Sequence, residues 1–139
     1  MGIAHRVNNH HWNYLLALDS DTAQISRYVE FIPGNFKTYS LELARLLMAA
    51  SAEVDVVAKI ACARVAPKSK PQVITDYYDV LSKVRPNLRT HPVEIKRYGL
   101  RFTPWVDWTK KASPLWWRAC NAVKHRREPT FTKQISSTH

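Results

Sequence analysis

Arg118, Asn121 and His125 are the residues best suited to chemistry on a phosphate group. They lie in the stretch WWRACNAVKHRR at 116–127. Ser113 suits a helix N-cap and Pro114 the first turn, so a helix is expected from about Pro114 to about Arg127. On it Trp116, Cys120 and Val123 share one side, with Arg127 at its lower end. Arg118, Asn121 and His125 lie roughly opposite, with Ala122 filling the gap between the two sets. Arg118 and His125, seven residues apart, sit about 20° out of line and about 10 Å apart along the axis. Their side chains could meet one phosphate, or their symmetry mates in a dimer. An Arg fork holds phosphate oxygens, and a His titrates in the range that moves a proton. Asn121 could orient His125 or contact the phosphate. The natural internal nucleophile would be a 2′-hydroxyl, which selects RNA over DNA and gives a cyclic phosphate product. Lys124, Arg126 and Arg127 could bind flanking phosphates. The same residues also read as surface or interface hydrogen-bonding groups, and the residues alone leave both readings open.

Other chemistries find no pattern here. No Cys pair stands at metal spacing and there is no HExxH, so no metal is expected. No GxGxxG, Walker or serine-elbow sequence occurs, so no cofactor is expected. Paired carboxylates of the kind a magnesium-dependent nuclease uses are not evident.

The net charge of +10 is unevenly placed. Residues 1–65 carry six Lys/Arg and six Asp/Glu, whereas residues 66–139 carry fifteen and five. That asymmetry points to a polyanion, foremost nucleic acid, with an anionic membrane surface as a further option and a merely solubilising surface as the plain alternative. No apolar run is long enough to span a membrane. The N-terminus holds only the short apolar run LLAL and is not expected to be a signal peptide. Cys62 and Cys120 sit beside alanines in helical patterns and read as buried free thiols, which suits a cytoplasmic protein.

The elements that must position these residues read as helices. A chain of 139 residues with three Gly and abundant Ala, Leu, Lys and Arg favours one helical domain, here bounded at 1–128, with a polar, disordered tail over 129–139 after Pro129. Residues 12–18 suggest a short helical turn. Asp19, Ser20 and Asp21 could cap a helix over Thr22–Phe31, ended by FIPGN. Ser40 is the expected N-cap of a long helix from Leu41 to Val65, with Leu43, Leu46, Leu47, Ala50, Val54, Val57, Ala61 and Val65 at 3.6 spacing. Glu53 falls with Leu46, Ala49, Val57 and Ile60 and is expected to face inward, partnered by Lys59, Arg118 or His125. It could tether two helices or orient the catalytic pair. Asp55 and Lys59 are also expected to form an ordinary i,i+4 pair. A third helix follows PKSKP, with Ser69 as a candidate cap and Ile74, Tyr77, Tyr78 and Leu81 as its apolar face. Residues 93–108 fit either a small hairpin turned at Gly99 or an irregular loop. There Lys96, Arg97 and Arg101 beside Tyr98 and Phe102 could bind RNA and stack on bases, or the aromatics could simply pin the loop. Trp105 and Trp108 are expected to clamp it against Trp116 and Trp117.

Several stretches resemble a known family. The chain resembles the HEPN group of helical domains, found in many prokaryotic RNase toxins and defence proteins, whose mark is an R-X4-6-H pattern near the start of a late helix. Arg118 to His125 fits its widest spacing. The polar residue that often follows the Arg is replaced by Ala119, and Asn121 comes two positions later. YVEFIPGNFKTYSLELARLL, SAEVDVVAKIAC and PLWWRACNAVKHRR are similar to an uncharacterised bacterial subgroup, over residues 25–127. The resemblance implies an all-α, up-and-down bundle of four to five helices with an irregular or hairpin insertion before the last helix. It implies a homodimer that cleaves RNA without metal, of toxin or toxin–antitoxin type, with Arg118 and His125 catalytic and Asn121 supporting. Some members are inactive and bind only RNA or a partner, including nucleotidyltransferase-like antitoxins. The subgroup runs on into a further apolar helix where this chain reads TKQISSTH, so a second copy or a partner is expected to cover the exposed surface.

Overall fold

The computed structural model describes the backbone of residues 9–136 and the side chains of residues 9–125. The chain divides into two compact units, Met1–Thr38 and Tyr39–His139. It is mostly helical, with one two-stranded antiparallel sheet among the described residues. None of the helices there is long and apolar enough to cross a membrane.

The first unit holds helix α1, His10–Ile25, and a short 3-10 turn at Pro33–Asn35. A single helix thus replaces the expected break at 19–21. Asp19, Ser20 and Asp21 are exposed, where their modest helix propensity costs little. Thr22 Oγ1 donates to the Leu18 carbonyl at 2.8 Å, a bond made inside the helix rather than at a cap. The helix ends at Ile25, not Phe31. Tyr28 is 88% exposed.

The second unit is built on α2, Leu41–Val65. Its bounds are those expected. Ser40 Oγ accepts from the Leu43 amide at 3.1 Å, and Pro67 follows the last turn. The buried stripe differs from the expected one. Ala44, Ser51, Ala58 and Cys62 are buried, while Val57 and Val65 are exposed. That stripe is rotated by about a quarter turn from the larger aliphatics. Small side chains let neighbouring backbones approach, and here they meet the largest rings of the core.

Helix α3 spans Ile74–Val84. Its cap is not Ser69, whose hydroxyl donates to the Ala66 carbonyl at 2.7 Å. Asp76 does the work from inside the first turn, its Oδ2 accepting from the Gln72 and Val73 amides at 2.9 and 3.2 Å. Ile74 and Tyr77 are buried, with Tyr78 and Leu81 packed beside them, as the apolar pattern predicted. Tyr77 donates to Asp55 Oδ1 at 2.7 Å. Burial, then the Asp55 hydrogen bond, push the Tyr77 phenol well above its ordinary range. Burial also raises the Cys62 thiol. Cys62 is a buried free thiol as expected, and Cys120 is free and half-buried.

Residues 93–102 form the hairpin. Strand β1, Val93–Ile95, pairs antiparallel with β2, Leu100–Phe102, in the register Val93↔Phe102, Glu94↔Arg101, Ile95↔Leu100. A 3-10 turn at Lys96–Tyr98 closes it, and Gly99 takes the left-handed conformation with φ 65°. The strap from Thr103 to Pro114 then crosses the end of α3. Trp108 is buried and its indole N–H donates to the Ile74 carbonyl at 2.9 Å. Trp105 packs between Trp108, tilted against it, and Trp116, edge-on to it, with centroids 4.9 and 5.3 Å away, and Trp116 Nε1 donates to the Pro104 carbonyl at 3.0 Å. The tryptophan clamp expected from the sequence is present.

Helix α4 spans Leu115–Ser136. The cap position falls to Pro114, whose carbonyl accepts from the Trp117 and Arg118 amides, rather than to Ser113. The helix runs past Arg127 and includes Pro129. The expectation of a disordered tail at 129–139 falls on residues whose side chains, and in part backbone, lie outside the described ones.

Candidate nucleic-acid interface

Helix α4 places its chemistry on one open strip. Arg118, Asn121, Lys124 and His125 are exposed, whereas Trp116, Cys120 and Val123 are half-buried. The amphipathic division follows from the 3.6 period, and the tryptophans orient it by fastening the opposite face to the strap. Arg126 and Arg127 lie outside the side chains described.

Arg118 is held by a carboxylate. Its Nη2 donates to Asp107 Oδ2 at 2.7 Å, with the two side chains 54% and 36% exposed. That exposure keeps the pair screened and worth on the order of 0–1 kcal/mol. Asp107 itself is well placed. The Val106 carbonyl on one side accepts from Arg89 Nε at 3.0 Å and Nη2 at 2.7 Å. On the other side Trp108 is pinned to α3. Arg89 comes from a 3-10 turn, Leu88–Thr90, whose Leu88 packs on the core. Sequence reasoning missed both Arg89 and Asp107. The position of Asp107 between two anchoring tryptophans was a usable signal. Arg89 has no local pattern to mark it.

Lys59 pairs with Asp55 at 3.3 Å, the i,i+4 pair expected from the sequence, whereas Arg118 pairs with Asp107, an acid the sequence did not mark. Glu53 is half-buried, and its helical position lies across α2 from the stripe of Ala44, Ser51, Ala58 and Cys62, so it does not point into that core.

The hairpin carries Lys96, Arg97 and Arg101, all three exposed. Arg101 Nη1 donates to Glu94 Oε1 at 3.0 Å, across the register pair. The Arg97 guanidinium lies over the Tyr98 ring, 5.1 Å from its centroid. Glu94, Lys96, Gly99, Leu100 and Arg101 line an open groove of about 290 Å³. Phe102 is 41% exposed.

The acids of the second half are each engaged where described. Asp76 is bound by backbone amides, Asp79 lies 4.0 Å from Lys110, Glu94 pairs with Arg101, and Asp107 pairs with Arg118. The remaining basic residues of 66–125 therefore face solvent largely unneutralised by these carboxylates, which is the electrostatic condition for binding a polyanion.

Neither a family model nor a curated protein nor a solved structure matches this chain.

Proposed function

We propose that the chain binds RNA through the basic surface of its second unit. In this reading the Arg118–Asn121–His125 strip of α4 and the Lys96, Arg97 and Arg101 hairpin lie against the phosphate backbone. The observation that carries it is the surplus of exposed basic groups over engaged acids within residues 66–125. Lys124 extends the same surface.

A second reading is metal-independent RNA cleavage of toxin or defence type. The placement of Arg118, Asn121 and His125 on one exposed strip favours it. Arg118 would hold the scissile phosphate, His125 would move the proton of the attacking 2′-hydroxyl, and Asn121 would support one of them. The strip is open to water, where two charges at 4 Å interact by only about 1 kcal/mol. Cleavage therefore needs a second wall, supplied by another copy of the chain in a homodimer or by a partner such as a nucleotidyltransferase-like antitoxin. Both readings belong to a cytoplasmic, bacterial setting.

The test is incubation of labelled single-stranded and structured RNAs with the full chain in EDTA, beside Arg118→Ala and His125→Ala. Binding across a salt series is read on the same samples. The binding reading expects retention without cleavage, with the salt slope of log K falling by about 1 when Arg118 is replaced. Cyclic phosphate ends made by the wild type alone would promote the cleavage reading. RNA left unbound at low salt would overturn both.

A further inference from the structure

Two arginines from distant parts of the second unit converge on consecutive residues of the strap. Arg89 donates twice to the Val106 carbonyl, and Arg118 donates to the Asp107 carboxylate. We propose that this convergence is a site for one phosphate group, and that Asp107 holds in the free protein the place that phosphate oxygens take when bound. The proposal deepens the RNA reading and rests on it for its biological ligand, but its chemistry stands without RNA.

A guanidinium has five N–H donors, and carboxylate and phosphate oxygens are alternative partners for its planar fork. The described contacts use one donor of Arg118 and two of Arg89, so both retain N–H groups for a ligand. Arg89 is held by two of its nitrogens on a single carbonyl, which fixes the side chain before any ligand arrives. The strap beneath them is fixed in turn by Trp108 on Ile74 and by Trp116 on Pro104. Asp107 is the one carboxylate described in contact with the pair. Its bond to Arg118 is more than one-third exposed on both sides, so exchange for another anion costs little. Two arginines against one carboxylate leave a net positive charge, which favours an anion.

The experiment uses the full chain labelled with 15N-arginine, titrated with inorganic phosphate at constant ionic strength. The Nε–H signals of Arg89 and Arg118 are assigned through Arg89→Gln and Arg118→Gln. Both signals are expected to move along one saturation curve, and each Gln variant to weaken the response seen at the other arginine. Asp107→Asn removes the competing charge and is expected to lower the half-saturating phosphate concentration about two- to fivefold. Asp107→Ser serves the same purpose if thermal melting shows that the Asn variant loosens the strap. Signals that stay still, or follow two unrelated curves, overturn the site. Weaker phosphate binding in both Asp107 variants, with melting unchanged, overturns the competitor role and makes Asp107 a positioning residue. RNA binding is measured in parallel. A phosphate site in a chain that ignores RNA sinks the RNA reading alone. RNA binding with both arginines silent sinks the site alone.

Discussion

Trp108→Phe tests how the strap that carries Asp107 is held. The wild-type ring is 2% exposed, its N–H reaches the Ile74 carbonyl at 2.9 Å, and it packs 4.9 Å from Trp105 and 5.5 Å from Tyr78. Phenylalanine keeps most of the ring contact but loses the hydrogen bond. A net loss of about 1 kcal/mol follows from that bond. The space vacated, about 30–40 Å³ at ~24 cal/mol per Å³, adds close to 1 kcal/mol. The sum is about 2 kcal/mol. For a cooperative unit of about 100 residues this lowers Tm by roughly 8–16 °C. The half-buried Trp105, changed to Phe, has no described hydrogen bond to lose and should cost less than half as much. Urea unfolding followed by far-UV circular dichroism measures both, and unchanged m-values keep the comparison valid. Equal losses in the two variants, or a shift below 0.5 kcal/mol for Trp108→Phe, would refute the reasoning that this one indole fastens the strap.

Three further outcomes follow from the core and the turn. Ser51 Oγ is buried with no hydrogen-bond partner among the described residues. Ser51→Ala should therefore be neutral or stabilising by up to about 1 kcal/mol in the same urea experiment. The raised Tyr77 ionisation makes stability fall on the alkaline side. The unfolded phenol ionises near its ordinary value of 10 while the folded one stays neutral, so stability is intact below pH 10 and declines as pH rises above it. Tyr77→Phe should flatten that decline in pH-dependent melts, while lowering stability at pH 7 by about 1 kcal/mol through loss of the bond to Asp55. Gly99→Ala places a side chain at φ 65° and should cost about 1–2 kcal/mol, seen as a lower melting temperature, although the added Cβ meets nothing within 4 Å.

The helices that were legible are those with punctuation at both ends. Ser40 and Ala66-Pro67 bracket α2, and both residues do locally what their types suggest. At α1 the same rule misled, because Asp19, Ser20 and Asp21 lie on exposed positions of a continuing helix and Thr22 bonds back to Leu18. A capping residue type is a weak signal where no backbone N–H needs it. The period of α2 was legible but its phase was not. Counting large aliphatics put the interior near Val57 and Ile60, whereas Ala58 and Cys62 lie against Ile74, Tyr77 and Trp108. Bulky partners on α3 and the strap need small residues opposite them, and that complementarity is a property of two segments at once.

The site divides along the same line. The two faces of α4 could be read from one stretch, since Trp116, Cys120 and Val123 against Arg118, Asn121 and His125 is a purely local, helical relation. The hairpin could be anticipated as one of two options, because alternation around Gly99 is local too. What surrounds Arg118 could not. Its partner stands 11 residues earlier, and the arginine that fastens that partner's neighbour stands a further 17 residues before Val106. Both relations pass through the strap, whose path is set by tryptophan packing and has no repeat. The four tryptophans announced that a loop would be clamped. Only the packed chain says that the clamped loop holds Asp107 against Arg118. The phase of α2 likewise carries Glu53 to the side away from the stripe of Ala44, Ser51, Ala58 and Cys62, a consequence of packing that the aliphatic count did not show. Inferring which acid an exposed Arg will meet therefore requires knowing the loops first, and the helical period cannot stand in for them.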